Sequence, residues 1–156
     1  MMDIEIGIDK SQRAKISEGL SRLLADSYML YLKSHNYHWN VTGTLFHPLH
    51  EMFEEQYTEL AEAIDEIAER IRALGSHAPG SFREFSELTS IREETDEPDA
   101  MEMIKRATEA HEIVIRTARA ALGACQDAGD EASIDLITQR LHTHSKAAWM
   151  LRSHLE

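Results

Sequence analysis

The sequence has little that would interrupt a helix and nothing that would cross-link one. Its 156 residues include seven glycines, three prolines and one cysteine. Scarce glycine and proline favour long helices with few connections. The single cysteine, Cys125, cannot form an intramolecular disulfide, so we expect a reducing, cytoplasmic setting. Cys125 falls on an apolar helical stripe, which predicts a place in the core.

The sequence also lacks membrane signals and an excess of basic residues. No apolar run reaches the roughly 18 residues of a membrane span. The N-terminal "MMDIEIGID" has no basic start followed by an apolar run, so we expect no secretory signal. The 16 Lys and Arg residues against 28 Asp and Glu residues give a net charge of −12. Such a surface repels phosphate backbones and favours divalent cations as partners over nucleic acid.

Four segments show the 3.6-residue periodicity of amphipathic helices, and none shows a strand pattern. The predicted helices run from about Ser11 to Asn40, from Phe46–Pro48 to Gly75, from Pro98 to about Asp127, and from Asp130 or Glu131 to Leu155. Asp9 and Gln12 form a capping-box pattern before the first helix. In the long link between helices two and three, "FREFSEL" predicts a short helix. The expected fold is an all-α four-helix bundle, a single domain over residues 1–156 with a short tail at 1–9.

The second predicted helix carries metal-binding types of side chain near both of its ends. Four of them lie within an arc of about 100° on a helical wheel: His50, Glu54, Asp65 and Glu69. His50 and Asp65 are separated by about 22 Å along the helix axis. Iron, zinc and manganese hold their ligands at about 2.0–2.3 Å. One helix therefore cannot bring both ends to the same metal or metal pair.

A two-fold axis near residues 59 and 60 would resolve this conflict. It would lay two copies of the helix antiparallel, and residues from opposite ends would then meet twice in each dimer. His50 and Glu54 of one chain would face Asp65 and Glu69 of the other. The dimer is therefore the predicted site-forming unit.

His38 lies upstream of this helix, and a turn at Gly43 would fold it back beside His50. Imidazole and carboxylate without thiolate suit Fe(II), Mn(II) or Zn(II). On spacing alone two alternatives stay open: a solvated acidic flank without metal, and a helical binding module without chemistry. His111 and His144 fall on core stripes, where we expect buried, hydrogen-bonded side chains.

Three stretches strongly resemble the Dps family, the mini-ferritins: "HNYHWNVTGTLFHPLHEMFEE", "DEIAERIRALG" and the closing "HSKAAWMLRSHLE". The likeness extends from about Lys10 to Glu156. It implies a ferritin-like subunit with a short helix in the long link, and a hollow homo-oligomeric shell of twelve copies. It also implies oxidation of Fe(II) by hydrogen peroxide or oxygen at sites between subunits. Fe(III) mineral would be stored in the shell, which protects against oxidative damage.

The resemblance also assigns site residues by position. His38, His50 and Glu54 of one chain, with Asp65 and Glu69 of its two-fold mate, would bind and oxidise iron, taken as one or two ions. The family usually has aspartate where this chain has Glu54, which is a departure at one ligand position.

Two further acidic groups receive roles by resemblance. Mineral nucleation is assigned to three glutamates that would face the cavity: Glu51, Glu55 and Glu62. A three-fold pore that draws in Fe(II) is assigned to four carboxylates near the start of the last helix: Asp127, Asp130, Glu131 and Asp135. The alternative for this second group is stabilisation of the helix start by its carboxylates.

DNA compaction as a nucleoid protein is the alternative function, and charge disfavours it. Family members that condense DNA typically have a lysine-rich tail, which this sequence lacks. We expect a gel-shift assay at about 150 mM salt, near physiological screening, to show no retention of DNA by the protein, because −12 charges per chain repel the phosphates. A clear shift at that salt would contradict the charge argument.

Overall fold

The structure is a computed structural model that describes residues 2–156, and all regular structure in that range is helical. Five α-helices follow one another: α1 Lys10–Asn40, α2 Phe46–Ala73, α3 Phe82–Leu88, α4 Ala100–Ala128 and α5 Glu131–Arg152. α1 packs against α2 and α4, and α4 packs against α5. The predicted all-α bundle of four long helices, with a short helix in the long link, is confirmed. Within residues 2–156, none of the helices has the length and apolar content that crossing a bilayer requires.

Local hydrogen bonding explains most of the helix ends. The Asp9 carboxylate accepts from the backbone N–H of Gln12, and the Gln12 side chain accepts from the N–H of Asp9. This is the predicted capping box, and it satisfies N–H groups that have no partner inside the helix. α4 ends at Ala128 and is capped by Gly129, whose φ of +66° is a conformation that glycine adopts without steric cost.

Three predicted boundaries are wrong by two or three residues. α2 ends at Ala73 rather than Gly75. α4 does not begin at Pro98 but after Asp99, whose carboxylate accepts a backbone N–H of the first turn. Proline cannot supply that acceptor, so the aspartate sets the boundary. α5 ends at Arg152 rather than Leu155. There the N–H of His154 bonds to the carbonyl of Leu151, a tighter turn than the helix.

A separate apolar cluster lies at the end of the bundle where α1 meets α2. Its buried members come from the C-terminal part of α1, the turn after it, the start of α2, and from α4 and α5: Tyr37, Val41, Leu49, Phe53, Met103, Ile104, Ala107 and Leu151. The larger cluster fills the rest of the bundle and includes Cys125, as predicted. Close packing in the smaller cluster fixes how the two helices meet.

A chain of polar contacts crosses the interior between α2, α4 and α5. Arg140 pairs with Glu59 and donates to Nε2 of His144 at 2.9 Å. Nδ1 of His144 lies 2.9 Å from Nδ1 of His111, and Nε2 of His111 lies 3.3 Å from Oε1 of Gln56. Because Arg140 only donates, His144 donates in turn from Nδ1 to His111. The prediction of buried, hydrogen-bonded histidines is confirmed. Burial, and after it the Arg140 charge, lowers the pKa of His111 to about 3 and keeps the ring neutral.

One carboxylate holds the long link against the bundle. Glu94 contacts Lys33 and Tyr37 of α1 and Arg106 of α4. The side chains of Lys33 and Glu94 are each only 8% exposed. Burial by itself would raise the pKa of Glu94, but the hydrogen bonds from Lys33, Tyr37 and Arg106 outweigh it and lower the pKa.

Replacing Glu94 with alanine should destabilise the protein strongly, because Lys33 would remain buried without its carboxylate. Breaking a buried pair in this way costs about 3–5 kcal/mol, measurable as a lower free energy of unfolding in urea. A lowered folded-state pKa means that the Glu94 contribution is complete above the unfolded-state pKa. It is lost as the pH falls through the folded-state pKa, so the difference from wild type should shrink in acid.

The control is Glu93→Ala, which removes the exposed neighbouring carboxylate. It should change the free energy of unfolding by no more than about 0.5 kcal/mol. Equal effects of the two substitutions would contradict the role assigned to Glu94.

Candidate metal centre

The candidate centre forms where the chain reverses between α1 and α2. Gly43 has a φ of +101°, which side chains other than glycine rarely adopt, and its carbonyl accepts from the N–H of Phe46 at 3.1 Å. The reversal brings His38 beside His50. Their ring centroids lie 3.8 Å apart, with an interplanar angle of 13°. The predicted return of His38 to the side of His50 is therefore observed.

Two reciprocal hydrogen bonds orient these imidazoles. Nδ1 of His38 lies 2.7 Å from the backbone carbonyl oxygen of His50, and Nδ1 of His50 lies 2.7 Å from that of His38. A carbonyl oxygen only accepts, so both Nδ1 atoms carry the proton and donate it. Nε2 of each neutral ring then keeps its lone pair, which is the form of histidine that binds metals.

The same bonds satisfy the end of α1. The carbonyl of His38 lies in the last turn, where the helix itself offers no N–H partner. The ring of His50 supplies that missing donor from the first turns of α2. The imidazole of His50 thus both links the two helices and presents Nε2 outward.

Glu54 joins the two histidines from one turn further along α2. The ligand atoms of His38, His50 and Glu54 all lie within 4.8 Å of one another. It is the only such group of three or more found in residues 2–156. Ligand atoms around one ion, each bound at about 2.1 Å, lie at most about 4 Å apart. Glu54 is exposed, so a small rotation of its side chain would close the group.

Asp65 and Glu69 lie apart from this group. Both are exposed on the later half of α2, which continues without a break to Ala73. At 1.5 Å per residue, Asp65 is about 22 Å from His50. Glu69 instead lines a shallow depression that it shares with Asp135 of α5. A single chain therefore brings three of the five predicted ligands together and leaves two facing outward.

The three glutamates predicted for mineral nucleation are exposed on α2. With Glu54 and Glu59 they line one open acidic surface: Glu51, Glu55 and Glu62. This surface has no basic side chain among its lining residues. Such a concentration of carboxylates attracts cations.

The four carboxylates predicted for a pore divide into two classes. Three are exposed: Asp127, Glu131 and Asp135. Asp130 is only 3% exposed and is the N-cap of α5. Burial would raise its pKa, but hydrogen bonds from Ser133 and Arg70 outweigh burial and lower it. Asp130 therefore has the alternative role of a helix-start carboxylate, with its oxygens already engaged.

Aromatic rings border the histidines, a feature that the ligand spacing did not predict. The ring of Tyr57 lies 5.2 Å from that of His38 and 3.9 Å from that of His35. His35 in turn stacks on Trp39 at 4.8 Å, and Trp39 is 61% exposed. The spacing of three and four residues between aromatic positions in α1 was the available signal.

Comparisons with known proteins show the family and the fold of the chain. The ferritin-like domain model matches residues 17–156. A DNA protection during starvation protein from Porphyromonas gingivalis is 36% identical over 95% of this chain and 93% of its own length. A low temperature-induced protein from Nostoc sp. is 39% identical over 100% of this chain and 88% of its own length. The crystal structure of a Dps protein from Vibrio cholerae O1, titled a member of a superfamily of ferritin-like diiron-carboxylate proteins, has a TM-score of 0.93. It is 32% identical and covers 100% of this chain and 99% of that one.

Replacing His50 with alanine should lower the free energy of unfolding even without metal. The substitution removes the donor to the His38 carbonyl, a hydrogen bond worth about 1 kcal/mol. Urea unfolding in the presence of a chelator measures the change. The control is His47→Ala, in which a 76% exposed ring that pairs only with Glu51 is removed. The free energy of unfolding of this control should stay within about 0.5 kcal/mol of wild type. No difference between the two variants would contradict the linking role of His50.

Proposed function

The chain belongs to the Dps family of ferritin-like proteins, and from that membership we propose that it oxidises Fe(II) at sites shared by two copies and stores the ferric product. Iron storage and ferroxidase-type chemistry are what the family supports in general. The observation that carries the finer proposal is the group of His38, His50 and Glu54, with both Nε2 lone pairs free.

The need for a second copy follows from the two halves of α2. Three ligand-type residues converge at its start, while Asp65 and Glu69 remain exposed at its end. Three ligands with an open side suit an ion that must also meet an oxidant. An antiparallel α2 from a two-fold mate would supply carboxylates to that open side, twice per dimer. Ala61, small and exposed on the same flank, would let the two helices approach closely.

Iron is the substrate, and the side chains of this chain bind and orient it. The Nε2 atoms of His38 and His50 and the Glu54 carboxylate would hold Fe(II). Carboxylates stabilise Fe(III) more than Fe(II), because the attraction grows with the charge of the ion, and this makes oxidation easier. One hydrogen peroxide takes one electron from each of two Fe(II) ions and, with two protons, gives two waters. No hydroxyl radical is then released.

Glu54 is one methylene longer than the aspartate that the family usually has. Its carboxylate oxygen nevertheless lies within 4.8 Å of the histidine ligand atoms. Exposure leaves its side chain free to adjust. We therefore propose that Glu54 is a ligand here.

Storage would use the remaining acidic surfaces of a twelve-copy shell. Glu51, Glu55 and Glu62 form the open acidic face of α2 and would nucleate mineral. Asp127, Glu131 and Asp135 are exposed and would line an entry pore, while Asp130 shapes the helix start beside them. A net charge of −12 per chain raises the local concentration of Fe(II).

The proposal predicts that two inactive variants restore each other. His38→Ala/His50→Ala and Asp65→Ala/Glu69→Ala should each fail to oxidise Fe(II) with peroxide. After unfolding and co-assembly at equal amounts, half of randomly paired dimers are mixed. Each mixed dimer has one intact site of two, so about a quarter of wild-type activity should return. Ferric absorbance after mixing with Fe(II) and peroxide measures it.

The matched control mixes His38→Ala with His50→Ala. Both substitutions affect the same half of the site, so no mixed dimer contains an intact site and no activity should return. Failure of the first mixture to recover, with shells that assemble normally, would contradict the assignment of ligands to two chains.

A further inference from the structure

Three of the four tyrosines in the chain form a continuous path of rings that begins at the candidate centre. The ring of Tyr57 lies 5.2 Å from that of His38. Tyr31 lies 6.1 Å from Tyr57, and Tyr28 lies 5.9 Å from Tyr31. Tyr28 then stacks on Phe85 of α3 at 4.7 Å. The path thus leads from a proposed iron ligand along α1 to the short helix.

His35 holds the start of this path in place. Its ring lies 3.9 Å from that of Tyr57 and 4.7 Å from that of Tyr31. It also stacks on Trp39 at 4.8 Å. Contacts with His35, His38 and Tyr31 limit the motion of the Tyr57 ring, so the separation of the rings is built into the fold.

The fourth tyrosine has a different environment. Tyr37 is fully buried, its ring packs against Phe53, and its hydroxyl donates to Glu94. Tyr28, Tyr31 and Tyr57 are instead partly exposed. A phenol loses its proton when it gives up an electron, and partial exposure lets water take that proton. The three tyrosines of the path are therefore suited to one-electron oxidation, whereas Tyr37, whose ring packs against Phe53, lies outside that path.

We propose that Tyr57, Tyr31 and Tyr28 form a one-electron relay that serves the site when only one Fe(II) is bound. The inference rests on the proposed oxidation of Fe(II) by peroxide. Peroxide needs two electrons, and one Fe(II) supplies only one. Tyr57 is the tyrosine of the path whose ring contacts a proposed ligand, and it supplies the second electron, which prevents release of a hydroxyl radical.

The reaction balances with these reactants. The O–O bond of hydrogen peroxide breaks as it accepts one electron from Fe(II) and one from the Tyr57 phenol, and the phenol also gives up its proton. The products are Fe(III), one water, one hydroxide and a tyrosyl radical. The radical passes along the path as Tyr31 and then Tyr28 each give up an electron and a proton. A later Fe(II), with one proton, returns the tyrosine to its phenol and becomes Fe(III).

Freeze-quench electron paramagnetic resonance tests the relay on the assembled protein. Without oxygen, one Fe(II) per site and one peroxide per iron should give a radical signal. Ring-deuterated tyrosine should collapse its hyperfine structure, whereas deuterated tryptophan should leave it unchanged. With two Fe(II) per site the signal should be lost. Tyr57→Phe should remove most of the signal, and the matched control Tyr37→Phe should keep it.

Tyr28→Phe/Tyr31→Phe tests the rest of the path. It should retain a radical at Tyr57 that decays faster, because the radical cannot move away from the site. An unchanged lifetime would overturn the relay beyond Tyr57. A signal that responds to deuterated tryptophan, or equal loss in Tyr57→Phe and Tyr37→Phe, would overturn the role of Tyr57.

Ferric absorbance recorded on the same samples distinguishes failure of the tyrosine relay from failure of the proposed Fe(II) oxidation. Ferric product without any radical in the one-iron sample would overturn the relay and leave the proposed function standing. Absence of ferric product at any iron loading would overturn the proposed function itself.

Discussion

Two imidazole–carbonyl hydrogen bonds at the end of the bundle determine what the candidate centre can do. They join the last turn of α1 to the start of α2 and place the rings of His38 and His50 face to face. By engaging both Nδ1 atoms, they leave both Nε2 atoms as metal-binding lone pairs. The apolar cluster below fixes the two helices that carry them. The same two hydrogen bonds thus link α1 to α2 and decide which nitrogen of each imidazole can bind a metal.

The unbroken α2 helix imposes a second constraint on the candidate centre. A helix without a break from Phe46 to Ala73 carries ligand-type residues at both ends of one flank and cannot fold them together. In the first half of α2, Glu54 lies beside His38 and His50 of the same chain, whereas Asp65 is not part of that group. In the proposed assignment of ligands to two chains, a second copy must therefore supply Asp65 and Glu69, which makes the assembled state part of the proposed chemistry.

Sequence periodicity predicted the fold well because each signal was local. Asp9 and Gln12 formed the expected capping box, and "FREFSEL" became α3. The start of α4 was missed because Pro98 and Asp99 both favour a helix start, and only the hydrogen bond of the aspartate decides between them. The spacing of twelve residues predicted that His38 would lie beside His50, but it did not predict their reciprocal hydrogen bonds. That depends on carbonyl directions, which residue types do not encode.

Several contacts that the sequence did not predict join residues far apart in the chain. Arg140 with Glu59 and the rings around Tyr57 depend on how helices rotate against one another. Periodicity identifies the buried face of each helix but not which residue on the next helix it meets. The sequence therefore showed the types of the candidate ligands, but the contacts around them could be seen only in the three-dimensional packing.

Arg140 gives the middle of the bundle a permanent cation. Its side chain is 5% exposed, and a guanidinium stays protonated across the pH range of a folded protein. Di-iron bundles generally bind metal in that central space, between facing helices. Here the Arg140–Glu59 pair, with His144, His111 and Gln56, already occupies the space between α2, α4 and α5. The interior histidines are thereby engaged in structural hydrogen bonds, whereas His38, His50 and Glu54 come together at the end of the bundle.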